Sequence, residues 1–226
     1  MEPLNRYLDA AVLKPEMTEE EATIAIKKCI ELETFSACVR PCDVTLAKDL
    51  CNGTSTLVCV VLGFPHGCQL PESKADEAKR YIAHGVDEID MVANYSWVKS
   101  GNWDAVKDDI AGVARLTKES GTLLKVIFES AHLDSSQIET LTEICIEAGA
   151  DYVKTSTGFN GEGAKIEDVQ IMLTTARGRA KVKPSGGIRD ATSAEHFINM
   201  GAERLGVGWS SCEAIINGAK VEGTGY

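Results

Sequence analysis

The sequence predicts a (β/α)8 barrel, a parallel eight-stranded barrel of the α/β class with helices outside. Three observations carry that expectation. Eight short apolar runs alternate with helical patterns along the 226 residues. The repeat is about 28 residues, near the minimum for a strand-plus-helix unit. The unusual polar residues gather at the C-terminal ends of the apolar runs, where barrels keep their active sites. A doubly wound open sheet is the alternative, and the regular count and the placement of polar residues favour closure.

Taken in order, the strands are expected at 8–13, 36–40, 56–63, 88–93, 123–130, 152–156, 181–185 and 204–208. Several are rich in Val and Ile and apolar throughout, as a parallel sheet covered on both faces requires. The first helix is announced by Thr18 and Glu21, a capping box. Ser73 with Asp76, Ser136 with Glu139 and Thr192 with Glu195 suggest three further helix starts. Gly53, Gly85, Gly121, Gly149 and Gly201 stand where helices end and a left-handed residue is wanted. The segment from Trp103 to Gly121 places apolar residues at 103, 106, 110, 113, 114 and 116, mostly on one face. A short helix over SCEAIING closes the pattern. No linker or composition break interrupts it, so residues 1–226 read as a single barrel domain.

Composition narrows the function. A net charge of −11 argues against a nucleic-acid or anionic-membrane partner, while leaving room for a small anionic substrate in a local pocket. There is no apolar leader and no apolar run of membrane-spanning length. The eight cysteines are expected as reduced thiols of a cytoplasmic protein, acting as small core residues. Cys38, Cys42, His66 and Cys68 match no usual zinc spacing, so no metal is expected. The four histidines form no triad with a nucleophile.

The chemistry points to lysine. Asp90, Lys125, Lys154 and Lys183 fall in strands four to seven, with Lys181 on the same face as Lys183. A lysine crowded by another cation, or partly desolvated, loses its proton more readily, and its pKa can fall toward ~7 to 8. The free amine attacks carbonyls and forms a Schiff base, an electron sink for cleaving a neighbouring carbon–carbon bond. Glycine loops follow the last two strands, with Gly186 and Gly187 in PSGGIRD and Gly206 and Gly208 in GVGWSS. Many barrels bind phosphate there. Phe64, in GFPHG at the end of strand three, reads either as pocket lining or as a packed turn aromatic.

The segments GFPHG, GVDEIDMV, LLKVIFES, DYVKTSTGF, VKPSGGIRD and GAERLGVGWSS together resemble the 2-deoxyribose-5-phosphate aldolases, a family of class I aldolases, over almost the whole length. The resemblance implies reversible cleavage of 2-deoxy-D-ribose 5-phosphate to acetaldehyde and glyceraldehyde 3-phosphate, without cofactor. It implies Lys154 as the Schiff-base residue, Lys183 rather than Lys181 as its neighbour, and Asp90 as the proton relay. It implies that Lys125 and Cys38 lie near the reacting carbonyl and Asp9 near a substrate hydroxyl. Thr155, Gly186, Gly187, Gly208, Ser210 and Ser211 complete the substrate-contacting set, the last five around the phosphate. Tyr226 matches a terminal tyrosine that transfers protons in some members. A homodimer or homotetramer is also implied.

Departures are visible. Ala10 and Ala11 replace a His-Thr pair often found in the family, Trp209 a small residue and Cys212 a glycine. Phe159 stands where some members carry lysine. Two other readings fit the same loops: a sugar-phosphate isomerase or epimerase working by proton transfer without a lysine adduct, and a non-catalytic sugar-phosphate-binding barrel.

Overall fold

The computed structural model describes residues 2–219. Eight parallel strands make one sheet in the order β7-β6-β5-β4-β3-β2-β1-β8, with β1 also paired to β8. They are β1 (Leu8–Val12), β2 (Ser36–Val39), β3 (Leu57–Leu62), β4 (Glu88–Val92), β5 (Leu123–Ile127), β6 (Tyr152–Lys154), β7 (Lys181–Lys183) and β8 (Leu205–Gly208). Between β7 and β8 the ladder is thin. A single bridge from Ser185 to Gly206 closes the barrel, with Gly206 N–H donating to the Pro184 carbonyl at 2.9 Å.

Nine helices of the described residues surround the barrel: α1 (Glu19–Glu31), α2 (Val44–Cys51), α3 (Pro71–Ala83), α4 (Tyr95–Lys99), α5 (Trp103–Ser120), α6 (Ser135–Ala148), α7 (Ile166–Ala176), α8 (Ala191–Met200) and α9 (Trp209–Ile216). The Thr18–Glu21 capping box forms at α1. Three other starts differ from expectation. α3 begins at Pro71, whose missing N–H costs nothing in a first turn. α6 is capped by Asp134 and Gln137, and α8 by Asp190, each two residues before the residue expected from sequence. An aspartate was available earlier in the chain, and a carboxylate suits the positive helix N-terminus at least as well as a hydroxyl. Gly121, Gly149 and Gly201 end their helices in the left-handed conformation.

Strand parity sorts the core into two parts. Leu8, Ala10, Val39, Val60, Ile89, Val126, Val153 and Val182 point outward and join the apolar layer under the helices. The alternate residues point inward. Some of them form a small separate apolar cluster of Ala11, Leu13, Cys38, Cys59 and Val61. Others are charged: Asp9, Glu88, Asp90, Lys125, Lys154, Lys183 and Arg204 are all at most 3% exposed. Burying that many charges costs free energy unless each is paired, so this is where function should be sought.

Candidate active site

Asp90 is the centre of the charged interior. Its register partners are Val61 on β3 and Lys125 on β5, and its side chain points into the barrel. Lys125 Nζ lies 2.8 Å from Asp90 Oδ1. Lys154 and Lys183 end β6 and β7 as direct register partners, and both reach Asp90 Oδ2, at 2.7 and 2.8 Å. Burial pushes the Asp90 carboxyl up, but the three ammonium groups outweigh it and hold it well below the ordinary carboxylate range.

The surrounding ions complete the network. Lys125 also meets Glu88 at 2.5 Å, and Lys183 meets Asp9 at 2.5 Å. Arg204 bridges Asp9 at 2.6 Å and Glu88 at 3.1 Å, with its guanidinium 3.3 Å above the Phe35 ring centroid. Burial pulls Lys125 and Lys183 down, yet the carboxylates around them win and both are raised above 10.5. Asp9 is lowered: burial opposes this, and Arg204, Lys183 and Lys125 overcome it. Four cations thus face three carboxylates, which leaves one positive charge in surplus when all are ionised. Lys154 holds one carboxylate, whereas Lys125 and Lys183 each hold more than one.

Cys38 and Cys59 are register partners beside this cluster, and Cys59 Sγ donates to Asp90 Oδ1 at 3.2 Å. The Cys59 hydrogen bond lowers the Cys38 thiol, while burial raises that of Cys59 well above 9.0. Both sulfurs and an Asp90 oxygen lie within 4.8 Å of one another. The three ammonium groups on the same carboxylate oppose a metal cation there. Cys42, Cys68 and His66, the other atoms of an imagined zinc site, are exposed.

A second feature adjoins the first. A cavity of about 290 Å³ lies where the barrel seam is thinnest, walled by Gly158, Gly163, Gly186, Gly187, Gly206 and Gly208, with Ser211, Arg189 and Glu162 at its edge. The glycines are needed for close approach. A Cβ on Gly206 would sit 2.2 Å from Ser185 Oγ and 3.4 Å from Lys183 Cε, and one on Gly163 would sit 2.2 Å from the Gly186 carbonyl oxygen. Cavity and charged cluster therefore share a wall. Gly208 also caps α9, whose first N–H groups add positive potential.

Not every expected residue takes part as anticipated. Ser210 is exposed on α9 and does not line the cavity, because the first turn of that helix turns it outward; Gly206 lines it instead. Thr155 is fully buried and spends its hydroxyl on Ser185, donating to the carbonyl at 3.2 Å and accepting from the N–H at 3.0 Å. Lys181, though on the Lys183 face, lies at the opposite end of β7, half-exposed and paired with Glu203 at 3.0 Å. Cys212 is buried beneath Gly208, 3.6 Å from its carbonyl. Tyr226 lies outside the described residues. Glu88 and Arg204 escaped the sequence reading. The signal was there: Glu88 precedes Asp90 by two, so it shares its inward face, and Arg204 immediately precedes β8.

The model of the DeoC/LacD family aldolases matches residues 7–212. The chain belongs to that family of aldolases. It is similar to the deoxyribose-phosphate aldolase of Clostridium novyi, 44% identical over 99% of both chains. Among solved structures it resembles one named QR15, an aldolase, with 39% identity, a TM-score of 0.89 and 96% of each chain covered. It also resembles the tetrameric deoxyribose phosphate aldolase of Aeropyrum pernix, with 29% identity, a TM-score of 0.86, and 95% of this chain and 89% of that one covered. Asp90, Lys154 and Lys183, the aspartate and lysines that the sequence resemblance singled out, meet at one point, and Gly186 and Gly187 line the adjoining cavity.

Proposed function

We propose that the protein is a class I aldolase that reversibly cleaves 2-deoxy-D-ribose 5-phosphate into acetaldehyde and D-glyceraldehyde 3-phosphate, with Lys154 as the Schiff-base nucleophile. The observation that carries this reading is the convergence of Lys154 and Lys183 on one oxygen of Asp90, against the wall of the glycine cavity. A buried cluster with one surplus positive charge is relieved by releasing one proton. Lys154 has a single carboxylate contact, while Lys183 and Lys125 each hold more than one, so the Lys154 nitrogen is the one least committed to the ion network.

The steps follow from that assignment. The Lys154 nitrogen attacks C1 of the open-chain sugar. The carbinolamine loses water, with Asp90 and Lys183 moving the protons, and leaves a protonated imine. Removal of the C3 hydroxyl proton breaks the C2–C3 bond. Its electron pair forms the C1=C2 double bond and the imine π pair moves onto nitrogen, giving an enamine on Lys154 and free glyceraldehyde 3-phosphate. Protonation of the enamine carbon and hydrolysis release acetaldehyde and restore the amine. The imine is the electron sink, so the scheme calls for no metal or organic cofactor. The cavity at Gly186, Gly187, Gly208 and Ser211 takes the phosphate through backbone N–H groups, which do not depend on the Trp209 or Phe159 departures. Asp9, Cys38 and Lys125 shape the polar floor, and a proton-transfer role is assigned to Tyr226.

The deciding experiment is reductive trapping. Incubation with acetaldehyde and borohydride should place an ethyl group on Lys154, read by peptide mass spectrometry. Active enzyme with an unmodified Lys154 peptide would end this reading in favour of simple proton transfer.

We further propose a cytoplasmic enzyme of one domain, in which all eight cysteines remain thiols, assembled as a dimer or tetramer. No helix among the described residues is long and apolar enough to cross a membrane. Sedimentation velocity tests the assembly.

A further inference from the structure

Glu129 stands where a glycine would be comfortable. It follows β5 by two residues, in the left-handed region at φ 56° and ψ 56°, and is completely buried. A non-glycine residue pays roughly 1–2 kcal/mol for that backbone, and a buried carboxylate adds a desolvation cost. Both costs are offset by what the side chain holds.

Its carboxylate accepts from the Thr157 N–H at 3.0 Å, from the Thr157 hydroxyl in a short hydrogen bond, and from Asn160 Nδ2 at 3.3 Å. Thr157 Oγ1 in turn accepts from the Phe159 N–H at 3.0 Å. Asn160 Nδ2 also donates to the Pro65 carbonyl at 2.9 Å, so the Asn160 amide ties the loop after β3 to the Glu129 carboxylate that joins the loops after β5 and β6. The segment between these anchors carries Gly158, which lines the glycine cavity, and Phe159, whose ring packs edge-on against Phe64 at 5.1 Å. A Cβ on Gly186 would already lie 3.4 Å from Gly158 Cα, so the cavity has little tolerance for movement of this loop. Lys154 itself is held otherwise, by pairing of β6 with β5 and β7.

We propose that Glu129 is a positioning residue for phosphate recognition: through Thr157 and Asn160 it holds the loop after β6 so that Gly158 completes the anion cavity. The proposal rests on the aldolase reading and adds to it a residue whose loss weakens discrimination for the phosphorylated sugar and spares the bond-breaking step. Glutamine is the informative replacement, since it keeps the size while turning one acceptor into a donor that opposes either the Thr157 N–H or the Asn160 amide, whichever oxygen it replaces.

The measurement is the ratio of kcat/KM for 2-deoxyribose 5-phosphate to that for unphosphorylated 2-deoxyribose. Glu129→Gln should lower the ratio about ten- to a hundredfold, the effect of losing hydrogen bonds to a charged group. The loss should fall on KM for the phosphorylated sugar, with kcat and the unphosphorylated reaction within about threefold of the parent protein. Thr157→Val, which keeps the shape and removes the hydroxyl, should shift the ratio in the same direction by less, and decides the matter if Glu129→Gln fails to fold. Folded variants with an unchanged ratio, or with both substrates impaired equally, would overturn the proposal while leaving the aldolase reading intact. A parent protein with a ratio near one would remove the phosphate cavity from the functional reading, and this role for Glu129 with it. A parent protein that cleaves neither sugar would overturn the aldolase reading itself.

Discussion

Two buried lysine–carboxylate sites in this chain make opposite use of the same chemistry. Inside the barrel, Lys125, Lys154 and Lys183 surround Asp90. Outside it, Lys74 on α3 meets Asp109 on α5 at 2.5 Å, and its Nζ also donates to the Val92 carbonyl at 3.0 Å. Burial is nearly complete in both. In the barrel each ion that shifts has several opposite charges, so attraction beats desolvation: Asp9 and Asp90 go down, Lys125 and Lys183 go up. In the outer pair each ion has one opposite charge in direct contact, and burial wins: Lys74 goes down and Asp109 up. One partner does not compensate a buried charge; a network does. Low exposure therefore says little about reactivity. What distinguishes the barrel site is surplus positive charge and a neighbouring cavity.

The largest expected effect breaks the comparison at its centre. Lys154→Met removes the amine and keeps much of the length. Activity should fall about 10^4-fold or more, as when a nucleophile is removed, with unfolding in urea close to that of the parent. A loss of only tenfold would make Lys154 another Lys74, a structural cation. Next comes Lys183→Leu, which removes a cation from the Asp90 oxygen that Lys154 uses and leaves Asp9 short of one partner. Turnover should fall about 10²- to 10³-fold, in the range of a lost proton-transfer group, with the fold intact by circular dichroism. A loss within a few-fold would show that Lys154 and Asp90 suffice.

The two sites also differ in how stability responds to pH. The lowered Asp9 and Asp90 contribute stability that is present above their ordinary value of 3.8 and lost as pH falls below it. The raised Lys125 and Lys183 contribute stability that is present below 10.5 and lost as pH rises through their elevated values. The outer pair has the reverse signs. The raised Asp109 contributes fully below 3.8 and loses ground as pH rises; the lowered Lys74 contributes fully above 10.5 and loses ground as pH falls. The cluster thus favours the neutral range and the outer pair is weakest there. Urea midpoints of the parent from pH 3 to 11 should follow the cluster, which carries more charge, with a maximum in between. A curve that rises toward both extremes would reverse the assignment.

Much of this was legible in the sequence because strands are periodic. Asp90, Lys125, Lys154 and Lys183 interrupt apolar runs at positions that alternate inward, so their convergence could be anticipated. The glycine loops were legible because close approach admits no side chain. Asp109 was not: it lies in α5 beside Ile110, inside an otherwise ordinary amphipathic pattern, and only the α3–α5 contact reveals that its face is covered. Glu129 was hidden for a similar reason, since nothing in FES announces a left-handed backbone. The outward turn of Ser210 depends on where α9 begins, and helix starts are fixed by whichever cap competes best.

The smallest effect sharpens the comparison most. Lys74→Met alone leaves Asp109 buried without its cation and should cost about 3 kcal/mol. Adding Asp109→Leu removes the stranded carboxylate, and the double variant should return to within about 1 kcal/mol of the parent or exceed it, as replaced buried pairs often do. Its gain should be greatest near neutral pH and smallest at pH 3 and 11, because only in the middle of that range does the parent hold both buried ions. Turnover should stay within about twofold, since Lys74 makes no ion pair with the charged cluster and its Nζ donates instead to the Val92 carbonyl at the end of β4. The same double replacement at Lys183 and Asp90 has no such outcome available to it: Lys125 and Lys154 would each lose Asp90 and Asp9 would lose Lys183, and stability and turnover would fall together. Recovery of stability and rate at the outer pair, measured by urea unfolding and steady-state kinetics, therefore separates an ion pair that the fold tolerates from one that the chemistry requires.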